Sequence, residues 1–390
     1  MFKTAKYFLG ILTLCGAVAS CVKVNTEEPE REPVPVTFST YGQRAVGTKA
    51  DASFVAPGAD FATGAVIGVY GFYHEDCTWA ADSTAGANIP DFMYHTAVTK
   101  QSDGSWTYSP VKYWPNEFGA GATSDDVDRL SFWGYYPRNA AGLNLYKPGT
   151  TTAYDNNTSG LPKAHFVVNS NIANQVDLMF TEPLRDLYKT QEHTVGTETH
   201  RYGTATNGEV TLVFRHALSL VQFNIRSSGA SLPAGAEIVI KSLTLTNIKT
   251  TGTCEKPYAS FATEAQAQTY WTTSATPTVT MTVPTGTAGA AGSMLVLMPQ
   301  TLEEEGSTHH SVVKLDMVYD IRFPAAHDPT TFISYADNTA EKYLWSDTGT
   351  VYGVKRWLPG RKYVYNIDAG LEKIEFSEVT EASWTTEWTE

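Results

Sequence analysis

Apolar and polar residues alternate along most of the chain in short runs, each bounded by Gly, Asn, Asp or Pro. Residues 36–41 (VTFSTY) show the period of two expected of a half-buried strand, because successive side chains of a strand point to opposite faces. Residues 65–73 (AVIGVYGFY) and 130–137 (LSFWGYYP) are rich in β-branched and aromatic side chains, which suit a pleated surface. The piece 112–115 (KYWP) closes on a proline and reads as the end of another strand. Further strand signals fall at 212–225, 237–246, 278–283, 294–298, 311–321, 362–367 and 373–376. Helical periodicity sustained over three turns is scarce. The pattern predicts an all-β chain, most simply built as antiparallel β-sandwiches.

The first residues break this pattern. Lys3 and Lys6 precede an apolar stretch over 7–18, too short to cross a hydrocarbon layer of roughly 30 Å as a helix. Residues 1–20 therefore read as a signal peptide. Its end, Val18-Ala19-Ser20-Cys21, resembles the lipobox of bacterial lipoproteins. On that reading the Cys21 thiol receives a diacylglycerol, and each buried CH₂ of the acyl chains adds about 0.8 kcal/mol of membrane affinity. The alternative is an ordinary secretory signal in which Cys21 sits by chance. Residues 21–35 follow as an acidic tether, with Glu27, Glu28, Glu30 and Glu32 among prolines. The rest is too long for one core and is expected to form two domains, 36–205 and 206–390, divided at the polar stretch that ends near Gly208.

Composition narrows the function classes. Lys and Arg total 28 against 41 Asp and Glu, a formal net charge of −13. An acidic chain without a basic block lacks the charge that supplies most non-specific nucleic-acid affinity. Charged residues are 18% of the chain, below the usual level of about 25%, which argues against disorder and long charged helices. Four cysteines exclude a disulfide-dense scaffold. Cys15 leaves with the signal peptide and Cys21 is the lipid site. Cys77 and Cys254, in different expected domains, either pair or remain two unrelated thiols.

No catalytic signature stands out. The chain contains no His-Glu-x-x-His, no Gly-x-Ser-x-Gly elbow and no phosphate-binding loop. His309-His310 reads as an exposed loop, and His216, within a strand-like run, as a buried hydrogen-bonding residue. Asp125, Asp126 and Asp128 read as a solvated acidic turn, since their spacing is not that of a calcium loop. Trp114 and Trp133 are expected in the core; Trp79 and Trp106, in polar surroundings, are the better surface candidates for sugar stacking. No cofactor, metal site or catalytic residue is expected, and the chain reads as a non-enzyme.

A series of landmarks spans the chain. The lipobox at Cys21 is followed by Ile67-Gly68-Val69-Tyr70-Gly71-Phe72, Tyr113-Trp114-Pro115 and Phe132-Trp133-Gly134-Tyr135-Tyr136-Pro137. Next come Asp177-Leu178-Met179, Phe214-Arg215-His216-Ala217-Leu218-Ser219 and Leu297-Met298-Pro299-Gln300. Trp357-Leu358-Pro359-Gly360 with Tyr363-Val364-Tyr365 and the closing stretch from Val379 to Trp384 complete the order. In these landmarks the chain resembles the fimbrillin family, in particular the surface lipoproteins of Gram-negative gut anaerobes. The resemblance implies two transthyretin-like antiparallel β-sandwich domains and lipid anchoring at the outer membrane, on the cell surface and in its fimbriae. For shaft members it implies that an arginine-specific protease removes the first strand, and that a terminal strand of the next subunit fills the vacated groove.

Carried onto this sequence, the removable strand holds Val36, Phe38 and Thr40. The candidate cleavage site is Arg44, with Arg31 second. The candidate donor segment is 374–388, with apolar Ile374, Phe376, Val379, Trp384 and Trp388; its other reading is a permanent edge strand. The expected function is a structural or adhesive fimbrial subunit. Its partners would be other fimbrial subunits, the outer membrane through the lipid, and a host or microbial surface ligand, with no nucleic acid. The alternative is a non-polymerising surface lipoprotein that binds carbohydrate or a host ligand.

Overall fold

The structure, a computed structural model, describes residues 33–42, 61–115, 128–188, 191–195, 198–202, 208–227, 235–261, 263–274, 278–283, 294–303, 311–325, 328–346, 352–369 and 374–383. The chain divides into 1–33 and a compact unit, 34–390. Cys21, Arg31, Arg44, Trp384, Trp388, Asp125, Asp126 and His309-His310 lie outside the described residues.

The unit is all-β, as the alternation predicts. Its strands run β1 (Thr37–Gly42), β2 (Val66–His74), β3 (Met93–Lys100), β4 (Trp106–Thr107), β5 (Arg129–Tyr136), β6 (Leu143–Tyr146), β7 (Lys163–Val167), β8 (Met179–Thr181) and β9 (Leu184–Leu187). They continue with β10 (Gln191–Val195), β11 (Glu198–Tyr202), β12 (Glu209–His216), β13 (Ser219–Ser227), β14 (Glu237–Lys249), β15 (Thr251–Cys254), β16 (Thr272–Thr273), β17 (Thr278–Val283) and β18 (Met294–Leu297). The last are β19 (Gln300–Thr301), β20 (Lys314–Ala325), β21 (Asp328–Tyr343), β22 (Trp345–Ser346), β23 (Tyr352–Gly353), β24 (Arg356–Trp357), β25 (Arg361–Ala369) and β26 (Ile374–Ser383). Among the described residues two short α-helices, α1 (Trp79–Ala85) and α2 (Glu264–Tyr270), start at Thr78 and Thr263, whose hydroxyls accept a backbone N–H of the first turn.

The first sheet has the order β1-β12-β8-β5-β2-β3-β4, with β9 also on β5. Three further sheets have the orders β16-β15-β7-β6, β18-β13-β25-β26 and β17-β14-β20-β21. Pairing is antiparallel except for β1–β12 and β13–β25, which are parallel. Parallel neighbours need a crossover rather than a hairpin, so both contacts join segments distant in sequence.

Alternation sorts the first sheet into two cores. Ile67, Val69, Leu130 and Phe132 bury one face with Val36, Phe38, Val210, Leu212 and Phe214. Tyr70, Phe72, Trp133 and Tyr135 bury the opposite face in a larger cluster that extends through the other sheets. Both faces are covered, which is why these strands read as nearly continuous apolar runs. The sheet also curls until its end strands β1 and β4 approach each other.

Several readings need correction. Residues 112–115 form no strand: Tyr113 makes one isolated bridge to Pro35, and prolines at 110 and 115 leave few donors for a ladder. The run 212–225 is two strands, and β12, beyond the boundary drawn at 205, is hydrogen-bonded into the first sheet. Trp79 and Trp106 are buried, not exposed. The Trp79 ring packs edge-on to Phe72 beneath the Arg185 guanidinium, and Trp106 packs edge-on to Phe61 beneath Lys100. Cationic groups thus lie over both indole faces. Asp128 is also buried; it accepts hydrogen bonds from the Tyr73 hydroxyl at 2.7 Å and the Asp76 N–H at 3.1 Å. Trp114 and Trp133 are buried, as expected.

Candidate functional site

The first strand is seated in a groove built by three segments. Along one side β1 forms a six-residue parallel ladder with β12, from Thr37 opposite Glu209 to Gly42 opposite Phe214. On the other side only its approach is held: the Val36 N–H donates to Lys112 O and the Trp114 N–H to Val34 O, both at 2.9 Å. The Tyr108 hydroxyl donates to Val36 O at 2.7 Å. Val36 and Phe38 point inward and are 1% and 5% exposed. The Phe38 ring lies edge-on to Tyr108 and to Phe132, each with centroids 5.6 Å apart. Burying two such side chains contributes roughly 1.5–3 kcal/mol each. Thr40 is half-buried, and its hydroxyl has no hydrogen-bond partner among the described residues. The Ser39 and Thr211 hydroxyls are 2.9 Å apart across the ladder.

Gly208 forms the corner of this groove. Its φ is +77°, a left-handed conformation that suits glycine. Its carbonyl accepts the Trp114 indole N–H at 2.9 Å. A Cβ here would lie 2.9 Å from Val34 Cγ1 and 3.0 Å from Trp114 Nε1. The glycine at the expected domain boundary therefore brings the start of β12 against the N-terminal segment.

At the other end, β26 is the terminal strand of its sheet, paired antiparallel with β25. Ile374, Phe376 and Val379 stand opposite Ala369, Ile367 and Tyr365. Their uneven spacing in sequence becomes regular on β25 because the ladder slips by one residue at Ser377. Val379 is half-buried against the large core.

Two polar constellations form; the first bears out His216 as a buried hydrogen-bonding residue, and the second has no sequence signal. His216 Nδ1 lies 2.9 Å from Asp177 Oδ1, joining two of the landmarks inside the core. Asp82, His74 and Ser131 form a relay: His74 Nδ1 is 2.5 Å from Asp82 Oδ2, and Nε2 is 2.9 Å from Ser131 Oγ. That is the order of a nucleophilic triad. Ser131 is fully buried and its Oγ accepts the Asp186 N–H at 3.1 Å, which leaves no room for a substrate carbonyl. The relay instead ties β2, α1, β5 and β9 together. Cys77 and Cys254 are separate free thiols, pushed up by burial to about 11 and about 12. Among the described residues no three His, Cys, Asp or Glu side chains gather as metal ligands.

Fold and groove together define a multi-sheet, all-β protein whose first sheet is completed at its edge by the N-terminal strand. The chain belongs to the fimbrillin-like family, whose family model matches residues 48–384. It is similar in fold to a fimbrial protein from Bacteroides vulgatus, with a TM-score of 0.55 and 17% identity over 90% of this chain and 100% of that one. A C-terminally truncated tip fimbrial protein, Mfa3, from Porphyromonas gingivalis matches with a TM-score of 0.34 and 11% identity, over 83% of this chain and 95% of that one. No curated protein matches the chain.

Proposed function

We propose that this chain is a structural or adhesive subunit of a cell-surface fimbria, without catalysis. Family membership supports the role. The single observation that carries the mechanism is the seat of β1: an N-terminal edge strand, next to the tether, supplies Val36 and Phe38 to the core. In this reading Cys21 carries the lipid that holds the precursor at the outer membrane. Cleavage after Arg44 releases β1 with its anchor; cleavage at the second candidate, Arg31, would remove the anchor and leave β1 in its groove. The vacated groove exposes Val210, Leu212 and Phe214 beside the unpaired ladder of β12. A strand from the next subunit restores both the hydrogen bonds and the buried side chains. The donor is the C-terminal segment with Ile374, Phe376, Val379 and Trp384. Head-to-tail repetition does not close on itself, so a filament grows. The division into two sandwiches is part of this reading, with β12 contributed to the first.

The purified precursor treated with an arginine-specific protease tests the proposal. Expected are a new terminus at Ala45 by N-terminal sequencing, filaments by electron microscopy, and neither with Arg44→Ala. Filaments that still contain residues 36–41 would overturn it.

A second reading has one observation in its favour: β26 is already fully laddered to β25 within its own chain. If that pairing is permanent, the chain is a non-polymerising surface lipoprotein that binds carbohydrate or a host ligand. It would then run as one lipidated band on an unboiled gel, where the polymer gives a denaturant-resistant ladder.

A further inference from the structure

On the face of the first sheet opposite the β1 groove, the chain forms an open cavity of about 370 Å³. This is within the size range of sites for small ligands, near its lower end. Its floor is aromatic and aliphatic: Tyr70, Tyr135 and Tyr154 are buried, and Leu143 and Leu145 are half-buried beside them. Tyr94, at 42% exposure, stands at its mouth, its ring edge-on to Tyr70 at 5.6 Å.

The backbone is deformed to build this mouth. The β2–β3 ladder runs from Val69 opposite Thr96 to Gly71 opposite Met93, so Tyr94 and His95 both oppose Tyr70. This is a β-bulge, a device that re-aims side chains and recurs next to binding sites. His95 has φ +49°, left-handed for a residue with a Cβ. Strain of this kind persists where the surroundings impose it, often at functional sites. Gly68 belongs to the same construction. The Tyr135 ring lies across it and leaves no space for a Cβ.

The polar groups at the rim are mostly donors. The Tyr135 hydroxyl is hydrogen-bonded to His95 Nδ1, and the Tyr94 hydroxyl donates to Tyr154 O at 2.8 Å. The Arg138 guanidinium donates to His95 O at 3.0 Å and to Asn139 Oδ1 at 3.2 Å. It meets no carboxylate among the described residues, and no Asp or Glu lines the cavity. The nearest acid in sequence to this wall, Asp155, is paired with Lys147 at 2.8 Å. Asn139 is exposed, with its amide N–H₂ available. An unpaired guanidinium favours a carboxylate, which it can bind with two hydrogen bonds. Tyrosine faces and leucines suit the apolar face of a pyranose, and the remaining N–H groups of Arg138 and Asn139 suit a ring that carries hydroxyls.

We infer that this cavity is a binding site for an acidic monosaccharide unit, with the sugar carboxylate on Arg138 and the ring against Tyr94 and the tyrosine floor. The site lies outside the strand-exchange groove, so it does not depend on that reading.

The full chain titrated in turn with D-glucuronate, D-glucose and benzoate, by calorimetry or saturation-transfer NMR, provides the test. Glucuronate is expected to bind at least about tenfold more tightly than glucose, the scale of one charge-assisted contact. Arg138→Gln, which keeps a donor for His95 O, should bring glucuronate down to the level of glucose. Asn139→Asp, an exposed change, should weaken glucuronate by like charge while the thermal midpoint stays unchanged. Tyr94→Ala should weaken both sugars. Equal binding of glucuronate and glucose, benzoate binding in place of glucuronate, or no binding of any probe would overturn the assignment.

Discussion

His216 Nδ1 and Asp177 Oδ1 meet at 2.9 Å where the first sheet passes into the rest of the chain, and both residues are buried. The pair sits in a knot of backbone bonds. The Ala217 N–H donates to Leu178 O at 2.8 Å, the Trp271 indole to Ala217 O at 2.6 Å, and the Gly360 N–H to Leu218 O at 2.9 Å. Landmarks that lie far apart in sequence therefore converge on residues 216–219, the link between β12 and β13.

Asp177→Ala removes the acceptor and leaves a buried ring nitrogen without it. The expected cost is on the order of 1–3 kcal/mol in urea unfolding. Asp177→Asn keeps an acceptor and should lose less. A change within about 0.5 kcal/mol for the alanine variant, the range of ordinary surface substitutions, would show that the pair does not hold this link.

Phe38→Ala empties the inner side of the β1 groove. Phenylalanine truncation in a core costs about 3–5 kcal/mol, so the precursor should unfold at markedly lower urea. Ser39→Ala, on the same strand but across the ladder from Thr211, should change stability by no more than about 0.5 kcal/mol. If the two variants unfold at the same urea concentration, β1 is not an integral part of the first core.

Gly208→Ala tests the groove's corner. The new Cβ would need a positive φ and would press on Val34 and Trp114. Overpacking and left-handed strain together predict a loss of about 1–3 kcal/mol. The loss should come with faster proteolysis of the N-terminal segment than in the parent. Unchanged proteolysis together with unchanged stability would separate Gly208 from the seating of β1.

The strands with both faces buried were legible in the sequence. β2 and β5 announce themselves as unbroken apolar and aromatic runs because each face packs on a different core. β3 and β7 were not, because MYHTAVTK and KAHFV place half-buried His, Thr and Lys among the buried apolar positions and leave Ala97 and Val167 exposed. Partner choice was equally hidden. Nothing local in residues 37–42 says that they lie parallel to 209–216, since that contact is set by tertiary packing across a long separation. A strand over 36–41 was legible from its alternation, whereas its groove was not, because Tyr108 and Trp114 come from one segment and Gly208 from another, both distant from it in sequence. Trp79 and Trp106 misled for a similar reason: the Arg185 guanidinium over Trp79 comes from a distant strand, and Lys100 reaches Trp106 only through the β3–β4 pairing. The acidic-sugar cavity depends on a one-residue bulge, which hydrophobic periodicity cannot register.

That bulge gives the chain a pH dependence of known sign. Burial, and then the neighbouring Arg138 charge, hold the His95 imidazole below its ordinary value. The unfolded chain has that ordinary value, about 6.5. Between the folded and unfolded values the unfolded state binds more protons, so stability rises with pH across that window. Equivalently, the contribution is complete above about pH 6.5 and is lost as pH falls through the folded value. The groups facing His95 do not titrate there. Burial raises Tyr70, Tyr94 and Tyr135 above their usual range. His95→Asn removes the titration and tolerates the positive φ. Thermal midpoints measured at about pH 7 and about pH 5 should then differ less in the variant than in the parent, with the gap closing from the acid side. An equal gap in both proteins would mean that acid sensitivity comes from other groups and that the strained His95 is not held neutral by this site.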